Sequence, residues 1–394
     1  MNAFFASVEQ LDNPQWRNHP VAITNGAMGS CIITCSYEAR AFGIKTGMRL
    51  PEARRLCPEL LQIPSRPRRY AEISTRIMQT LATITPDMEI FSVDEAFLDV
   101  THCQTLHGTP PHIAQMARQR IFAAVGLLCS AGVSGDKTTA KFAAKLKKPD
   151  GLTVIPPWEA RQRLADVPVT ELCGINRGIG QFLAVHGVER CGDMQRLPIQ
   201  ILCQRFGERL GRRLWLMAQG ADPEPLETQI KAPKSIGHGK VMPPDTRDLT
   251  TIKTYLRHMA HKVAARLRQH QLLASHFLIA LRTQEMWISL KEHTITPCDE
   301  EQPIYQLALR LLLQLPPGKG VFQVQITALN PGCAAHRDLF SSPLPRRRHA
   351  ATMMDRVNQR YGQMTLASAR LIHISPMPDV IAPSWRPDGH RRTV

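Results

Sequence analysis

Phe91-Ser92-Val93-Asp94-Glu95-Ala96-Phe97-Leu98-Asp99 sets two adjacent carboxylates inside a run of β-branched, aromatic and aliphatic residues. The run reads as strand. Carboxylates held in a buried strand lose hydration and repel one another, at a cost of several kcal/mol per ion unless a cation compensates. Hard oxygen ligands of this kind suit Mg²⁺. Successive strand side chains point to opposite faces, so Asp94 and Glu95 reach one metal cluster only where the strand bends, as at a hairpin tip. The plainer alternative is that one carboxylate faces solvent and the other meets an arginine.

Composition narrows the setting. At 394 residues the chain is too long for one core, and roughly 100–200 residues per domain implies two to four domains. Hydrophobic content of 43% and charged content of 21% are ordinary for a folded protein. A net charge of +16 is not, and it points to a polyanionic partner, nucleic acid before membrane. No apolar run is long enough to span a bilayer, and the N-terminus has no basic signal region. Ten cysteines without a CxxC pair argue for reduced thiols in a cytoplasmic protein and against zinc.

Outward from the acidic strand, the N-terminal half alternates strands and helices. Phe4, Phe5 and Val8 mark a helix start, Pro20–Ile23 and Cys31–Thr34 two short strands, and Ser36–Gly43 a short helix closed by its glycine. Pro51–Leu61 reads as another helix, and residues 70–84 as an amphipathic one. A helix over 112–126, a strand over Ala131–Ser134 and a lysine-studded helix over Asp136–Leu146 follow. From Pro156 to about Pro225 the pattern is helical. Within it, Leu172-Cys173-Gly174-Ile175-Asn176 and Leu183 to Val188 resemble a helix-hairpin-helix, whose turn offers backbone N–H groups to a phosphate. Asn176 stands where a second glycine is usual, and asparagine tolerates a left-handed backbone better than most residues.

Beyond a Pro- and Lys-bearing connector, six elements between 235 and 328 follow the order β-α-β-β-α-β, a ferredoxin-like small domain. Phe322, Val324 and Ile326 are expected on one face of its last strand. Its first helix carries Lys253, Arg257, Lys262, Arg266 and Arg268, read either as a solvated basic face or as a phosphate contact. The tail holds His336-Arg337-Asp338-Leu339-Phe340, whose Leu-Phe pair reads as a local packing contact or as a docking peptide.

Taken together, Asn2 to Gln10, Tyr37-Glu38-Ala39-Arg40, Ser92 to Ala96, Val133 to Lys137 with Lys148-Pro149-Asp150-Gly151, and Lys234 to His238 resemble the Y-family DNA polymerases, which copy damaged templates. Separated motifs in the right order are far more specific than any one alone. The resemblance implies an α+β multidomain right hand. Its parts are a palm (1–3 and 67–155), small fingers (4–66), a helical thumb (156–226), a linker (227–234), a little finger (235–329) and a tail (330–394). It implies template-directed, error-prone synthesis by a monomer on primer–template DNA from deoxynucleoside triphosphates, with two Mg²⁺ ions held by Asp94 and Glu95 and no membrane partner. Thr34, Tyr37, Arg40, Lys148 and the backbone of Phe4 and Phe5 would hold the triphosphate. Phe5 would be the steric gate against a ribose 2′-hydroxyl. Gly174, Asn176, Lys253 and Arg257 would meet DNA, and His336, Asp338, Leu339 and Phe340 a sliding clamp. One departure is expected to matter: the family carries a metal-bridging aspartate immediately before the position of Met1, which implies a truncated start or an impaired enzyme. A catalytically impaired accessory protein that binds DNA and the clamp is the competing reading. A generic DNA-binding protein leaves the Asp94-Glu95 strand unexplained.

Overall fold

The computed structural model describes residues 1–26, 31–229, 233–333, 346–362 and 364–371. They fall into two units, one through residue 229 and one from residue 233. The peptide 336–340 lies outside the described residues.

The first unit opens with helix α1 (Phe4–Asp12), followed by strands β1 (Val21–Thr24) and β2 (Ile32–Cys35) and helices α2 (Tyr37–Ala41) and α3 (Leu50–Leu56). Strand β3 (Leu61–Pro64) completes a three-stranded sheet of order β2-β1-β3, with β3 parallel to β1. The helix expected over 51–61 therefore stops at Leu56, and its last residue opens a strand. Cys57, extended and capping the helix, and buried Leu60 lead the chain back alongside β1. Ser36 caps α2 by accepting from the Ala39 N–H at 3.3 Å.

Helix α4 (Pro67–Ala82) buries Tyr70, Ile73, Ile77 and Leu81 at helical spacing, beside Phe4, Phe5, Val8, Ile90 and Val93. Each buried aliphatic there contributes roughly 1.5–3 kcal/mol. Strands β4 (Met88–Ser92) and β5 (Glu95–Leu98) form an antiparallel hairpin with Val93 and Asp94 at its tip. Short α5 (Gln104–His107) and long α6 (Pro110–Val125) lead to β6 (Ala131–Val133), α7 (Lys137–Leu146) and β7 (Leu152–Val154). β6 and β7 are parallel and joined through α7, a βαβ unit. Three-residue β7 carries too short a pattern to read from sequence. A Cβ at Gly132 would lie 2.0 Å from the Ala140 carbonyl oxygen, so α7 packs onto β6 only over glycine.

Helices α8 (Pro157–Leu164), α9 (Arg177–Val185), α10 (Ile199–Phe206) and α11 (Glu208–Met217) surround a core of Leu164, Leu172, Leu183, Leu202 and Leu214. The turn before α9 differs from expectation. Gly174 alone takes the left-handed backbone, with φ 101°, whereas Asn176 is extended at φ −81° and caps α9 by accepting from the Ile179 N–H at 3.0 Å. Its side-chain amide serves as a helix cap, not as a glycine substitute.

The second unit runs β8 (Ser235–Thr246), α12 (Leu249–Gln269), β9 (Leu272–Arg282), β10 (Trp287–Cys298), α13 (Glu301–Leu312) and β11 (Val321–Leu329). The antiparallel order is β10-β9-β11-β8, so β11 returns between β8 and β9, and short β12 (Gly332–Cys333) pairs with β9. Both helices pack on one sheet face around Ile252, Leu256, Phe277, Ile279, Ile304, Val324 and Ile326. Phe322 is not on that face. A register shift between Val321 and Gln323 hands its place to Val321, which is fully buried. Helix α14 (Arg346–Tyr361) joins this unit through a two-bond pair from Arg268 to Asp355, at 2.6 and 2.9 Å.

Candidate active site

The hairpin tip required by strand alternation is present. Along β4 and β5, Met88, Ile90, Ala96 and Leu98 belong to the core, while Phe91 and Phe97 pair edge to face on the other side, 5.4 Å apart. A register shift between Ile90 and Ser92 and the turn at Val93-Asp94 then swing both carboxylates toward one hydroxyl. Ser92 Oγ lies 3.1 Å from Asp94 Oδ1 and 3.4 Å from Glu95 Oε2. Ser74 of α4 donates to the Val93 carbonyl and ties the tip to the core.

Cations crowd this tip. Lys141 Nζ donates to Glu95 Oε1 at 2.5 Å and stands 4.5 Å over the Phe91 ring. One turn earlier on α7, Lys137 donates to Glu89 at 2.8 Å. The Met1 α-ammonium lies 3.7 Å from Asp94 Oδ2. Burial pushes the Glu95 carboxyl up, but the Lys141 ammonium, with help from the Met1 and Lys148 charges, holds it below the ordinary range. Sequence alone did not single out Lys141. Its signal is the four-residue spacing from Lys137, which puts two ammonium groups on one helix face.

The same core carries Phe4 and Phe5 beside Tyr70, and Tyr37 packs against it. Its hydroxyl is buried and has no partner among the described residues, while the exposed Arg40 guanidinium lies 4.8 Å over its ring. A buried hydroxyl without a partner is costly, and a ligand oxygen would satisfy it. Thr34 is half-buried on β2. Phe5 is 8% exposed and stacked on Tyr70, with centroids 4.4 Å apart. Phe4 and Phe5 occupy the first turn of α1, where backbone N–H groups lack an intrahelical partner. Lys148 follows α7 in a turn that Arg118 holds by donating to the Asp150 carbonyl at 2.5 Å.

These features match known proteins along the chain. Residues 1–145 match the impB/mucB/samB family, residues 233–338 its C-terminal domain, and residues 170–222 the DNA polymerase-iota thumb domain. DNA polymerase IV of Moorella thermoacetica is 36% identical over 376 residues, covering 93% of this chain and 94% of that protein.

The chain belongs to the Y-family DNA polymerases.

DNA polymerase IV of Pelotomaculum thermopropionicum is 34% identical over 94% of this chain and 93% of its own length. That of Halorhodospira halophila is 39% identical over 72% and 79%. Among solved structures, a Y-family polymerase chimera of Dbh and Dpo4 segments superposes with a TM-score of 0.73 at 26% identity, covering 84% of this chain and 97% of its own. The protein is thus a DNA-directed DNA polymerase of mixed α and β architecture, with a helix-hairpin-helix thumb and a sheet-containing little finger. No helix among the described residues is long and apolar enough to cross a membrane.

Not every expected site residue lies in this cluster. Gly174 and Asn176 belong to the thumb turn before α9, and Lys253 and Arg257 to α12 of the second unit. Lys253 is exposed, but Arg257 donates to Glu301 at 2.6 Å, and Arg268 is held by Asp355 and by the Asp299 carbonyl. Much of the cationic face of α12 is thus committed within its own domain.

The opposite sheet face, away from both helices, was not singled out from sequence. Its registers run Trp287–Arg282–Gln323–Val241, Ser289–Ala280–Gln325–Gly239, Lys291–Leu278–Thr327–Gly237 and His293–His276–Leu329–Ser235. No aspartate or glutamate stands in these rows, although the strands carry Asp245 and Glu292 elsewhere. The alternation of β10 and β11 contained this signal, but which alternate set faces outward depends on where the helices pack.

Proposed function

We propose that this polymerase carries out error-prone synthesis across damaged template, with Asp94 and Glu95 holding the catalytic magnesium, two ions in all. The observation that carries the reading is the shared Ser92 hydroxyl, which brings two hard-oxygen carboxylates to one point amid compensating cations. That donor set fits Mg²⁺, which commonly binds one or two carboxylates and completes its shell with water and substrate phosphate. When bound, magnesium supplies charge stabilisation at the transferring phosphoryl group and lowers the pKa of a bound hydroxyl.

The chain's own residues position the reactants. The Tyr37 hydroxyl, the Arg40 guanidinium and the Lys148 ammonium donate to triphosphate oxygens, with Thr34 beside them and the Phe4 and Phe5 N–H groups at the helix end. The Phe5 ring fills the space of a ribose 2′-hydroxyl. Lys141 keeps Glu95 ionised. Fingers built of three short strands and three short helices offer little surface with which to inspect the nascent pair, which suits tolerance of lesions.

The acid-free sheet face and the N-terminus of α9 at Asn176 would hold DNA phosphates, in keeping with the +16 charge. His336 to Phe340 would serve as the sliding-clamp peptide, with Leu339 and Phe340 in an apolar pocket.

Primer extension with Mg²⁺ and deoxynucleotides, on intact and abasic templates, tests the reading. Synthesis past the lesion is expected, and Asp94→Ala should abolish synthesis while sparing DNA affinity. Undiminished synthesis by Asp94→Ala would overturn the metal-site assignment.

A further inference from the structure

Beneath the proposed gate lies a buried ionic device. Glu9 is a carboxylate with 1% exposure, one helical turn beyond Phe5 on α1. It accepts from the Tyr70 hydroxyl at 2.7 Å and, through both oxygens, from Arg66 Nε at 2.9 and 3.0 Å. Tyr70 is 0% exposed, and its ring is stacked on Phe5 with 16° between planes. Burial, and then the Glu9 carboxylate, push the Tyr70 phenol far above its ordinary range, so it remains a donor. Phenylalanine in place of Tyr70 would fill the same volume without requiring a buried charge. The chain spends a carboxylate, a guanidinium and a phenol on a contact that apolar packing alone would close, though less uniquely. A hydrogen bond to an ionised group has a defined length and direction, whereas ring-on-ring packing tolerates sliding.

We propose that Glu9 and Tyr70 are positioning residues for sugar discrimination: Glu9 pins the Tyr70 ring, and that ring sets how far the Phe5 ring projects toward the sugar. The proposal rests on the reading of Phe5 as the steric gate. If Glu9 merely tied α1 to α4, its loss would lower stability and leave the choice between ribose and deoxyribose untouched.

The test measures dissociation constants of dCTP and CTP for the full chain bound to a dideoxy-terminated primer–template with Mg²⁺, so that no turnover is needed. Tyr70→Phe keeps the ring stack and removes only the link to Glu9. It is expected to reduce the CTP-to-dCTP ratio of dissociation constants about fivefold, by tightening CTP while dCTP is unchanged. Phe5→Ala should reduce the ratio further and make Tyr70→Phe silent when the two are combined. Glu9→Gln, which keeps an acceptor for the phenol but loses the ionic pair with Arg66, should fall between parent and Tyr70→Phe. It also carries the test should Tyr70→Phe fail to fold. A Tyr70→Phe ratio equal to the parent's, with Phe5→Ala still relaxed, overturns the proposal and leaves the gate standing. A Phe5→Ala ratio equal to the parent's removes the gate and the proposal together.

Discussion

Lys141 Nζ lies 2.5 Å from Glu95 Oε1, which joins a cation of α7 to a carboxylate at the tip of the β4–β5 hairpin. Two opposed effects act on that carboxyl: burial raises its pKa, and the Lys141 ammonium, with the Met1 and Lys148 charges, brings it below the ordinary range. Lys141→Met leaves burial less opposed, so Glu95 should protonate at higher pH. Binding of Mn²⁺, followed by electron paramagnetic resonance across a pH series, is expected to fall away at higher pH in the variant. An acid limb at the parent's pH would mean that Lys141 does not govern Glu95.

Tyr37 supplies a different test, because its hydroxyl is buried without a partner among the described residues. Tyr37→Phe removes a desolvated group that does nothing for the free fold, so the melting temperature should hold or rise slightly. A hydrogen bond to a charged oxygen contributes about 1.5–3 kcal/mol, so nucleotide affinity should drop at least tenfold. Lower stability with unchanged nucleotide binding would point to a structural role instead.

The two faces of the little finger should respond differently to loss of charge. Arg282→Ala and Lys291→Ala, on the acid-free sheet face, are expected to weaken DNA binding and flatten its dependence on salt. Arg257→Ala should do neither. It strands Glu301, whose carboxyl is held low against burial by His261 and Arg257, and should cost about 1–3 kcal/mol of stability in urea unfolding. A flattened salt dependence in Arg257→Ala, with the sheet variants unaffected, would return the DNA to α12.

His258 makes the little finger sensitive to acid. It is 1% exposed, neither ring nitrogen has a partner among the described residues, and burial, aided by Lys262 and Lys240, pushes it down from 6.5 to about 3. Between those values the unfolded chain binds a proton that the folded chain does not, so stability is full above the unfolded pKa and falls as pH drops toward the folded one. From neutrality to about pH 5 the loss is about 2 kcal/mol. In His258→Leu the unfolding free energy of this domain should lose that part of its pH slope. An unchanged slope would assign the acid sensitivity to other groups.

Much of this molecule is legible in its residues. Adjacent carboxylates in an apolar run demanded a bend and a cation, and apolar periodicity placed α1, α4, α12 and both long hairpin strands of the little finger. Both signals are local, since helices and strands carry their periods in the sequence. The failures are equally physical. The helix over 51–61 was cut short because pairing of β3 with β1, remote in sequence, outweighed local helix preference. Asn176 became a cap once the Ile179 N–H needed an acceptor.

The sequence by itself determined the family and set two carboxylates side by side in one apolar run, because both follow from residue type and spacing. Only the tertiary structure decided which charges are committed to one another. It set Lys141 on Glu95, Tyr70 between Glu9 and Phe5, Arg257 on Glu301, and left four successive rows of one sheet face without acid. Ion pairs and stacks form between side chains dozens of residues apart, and Coulomb attraction and burial depend on distance in space, which spacing along the chain does not encode.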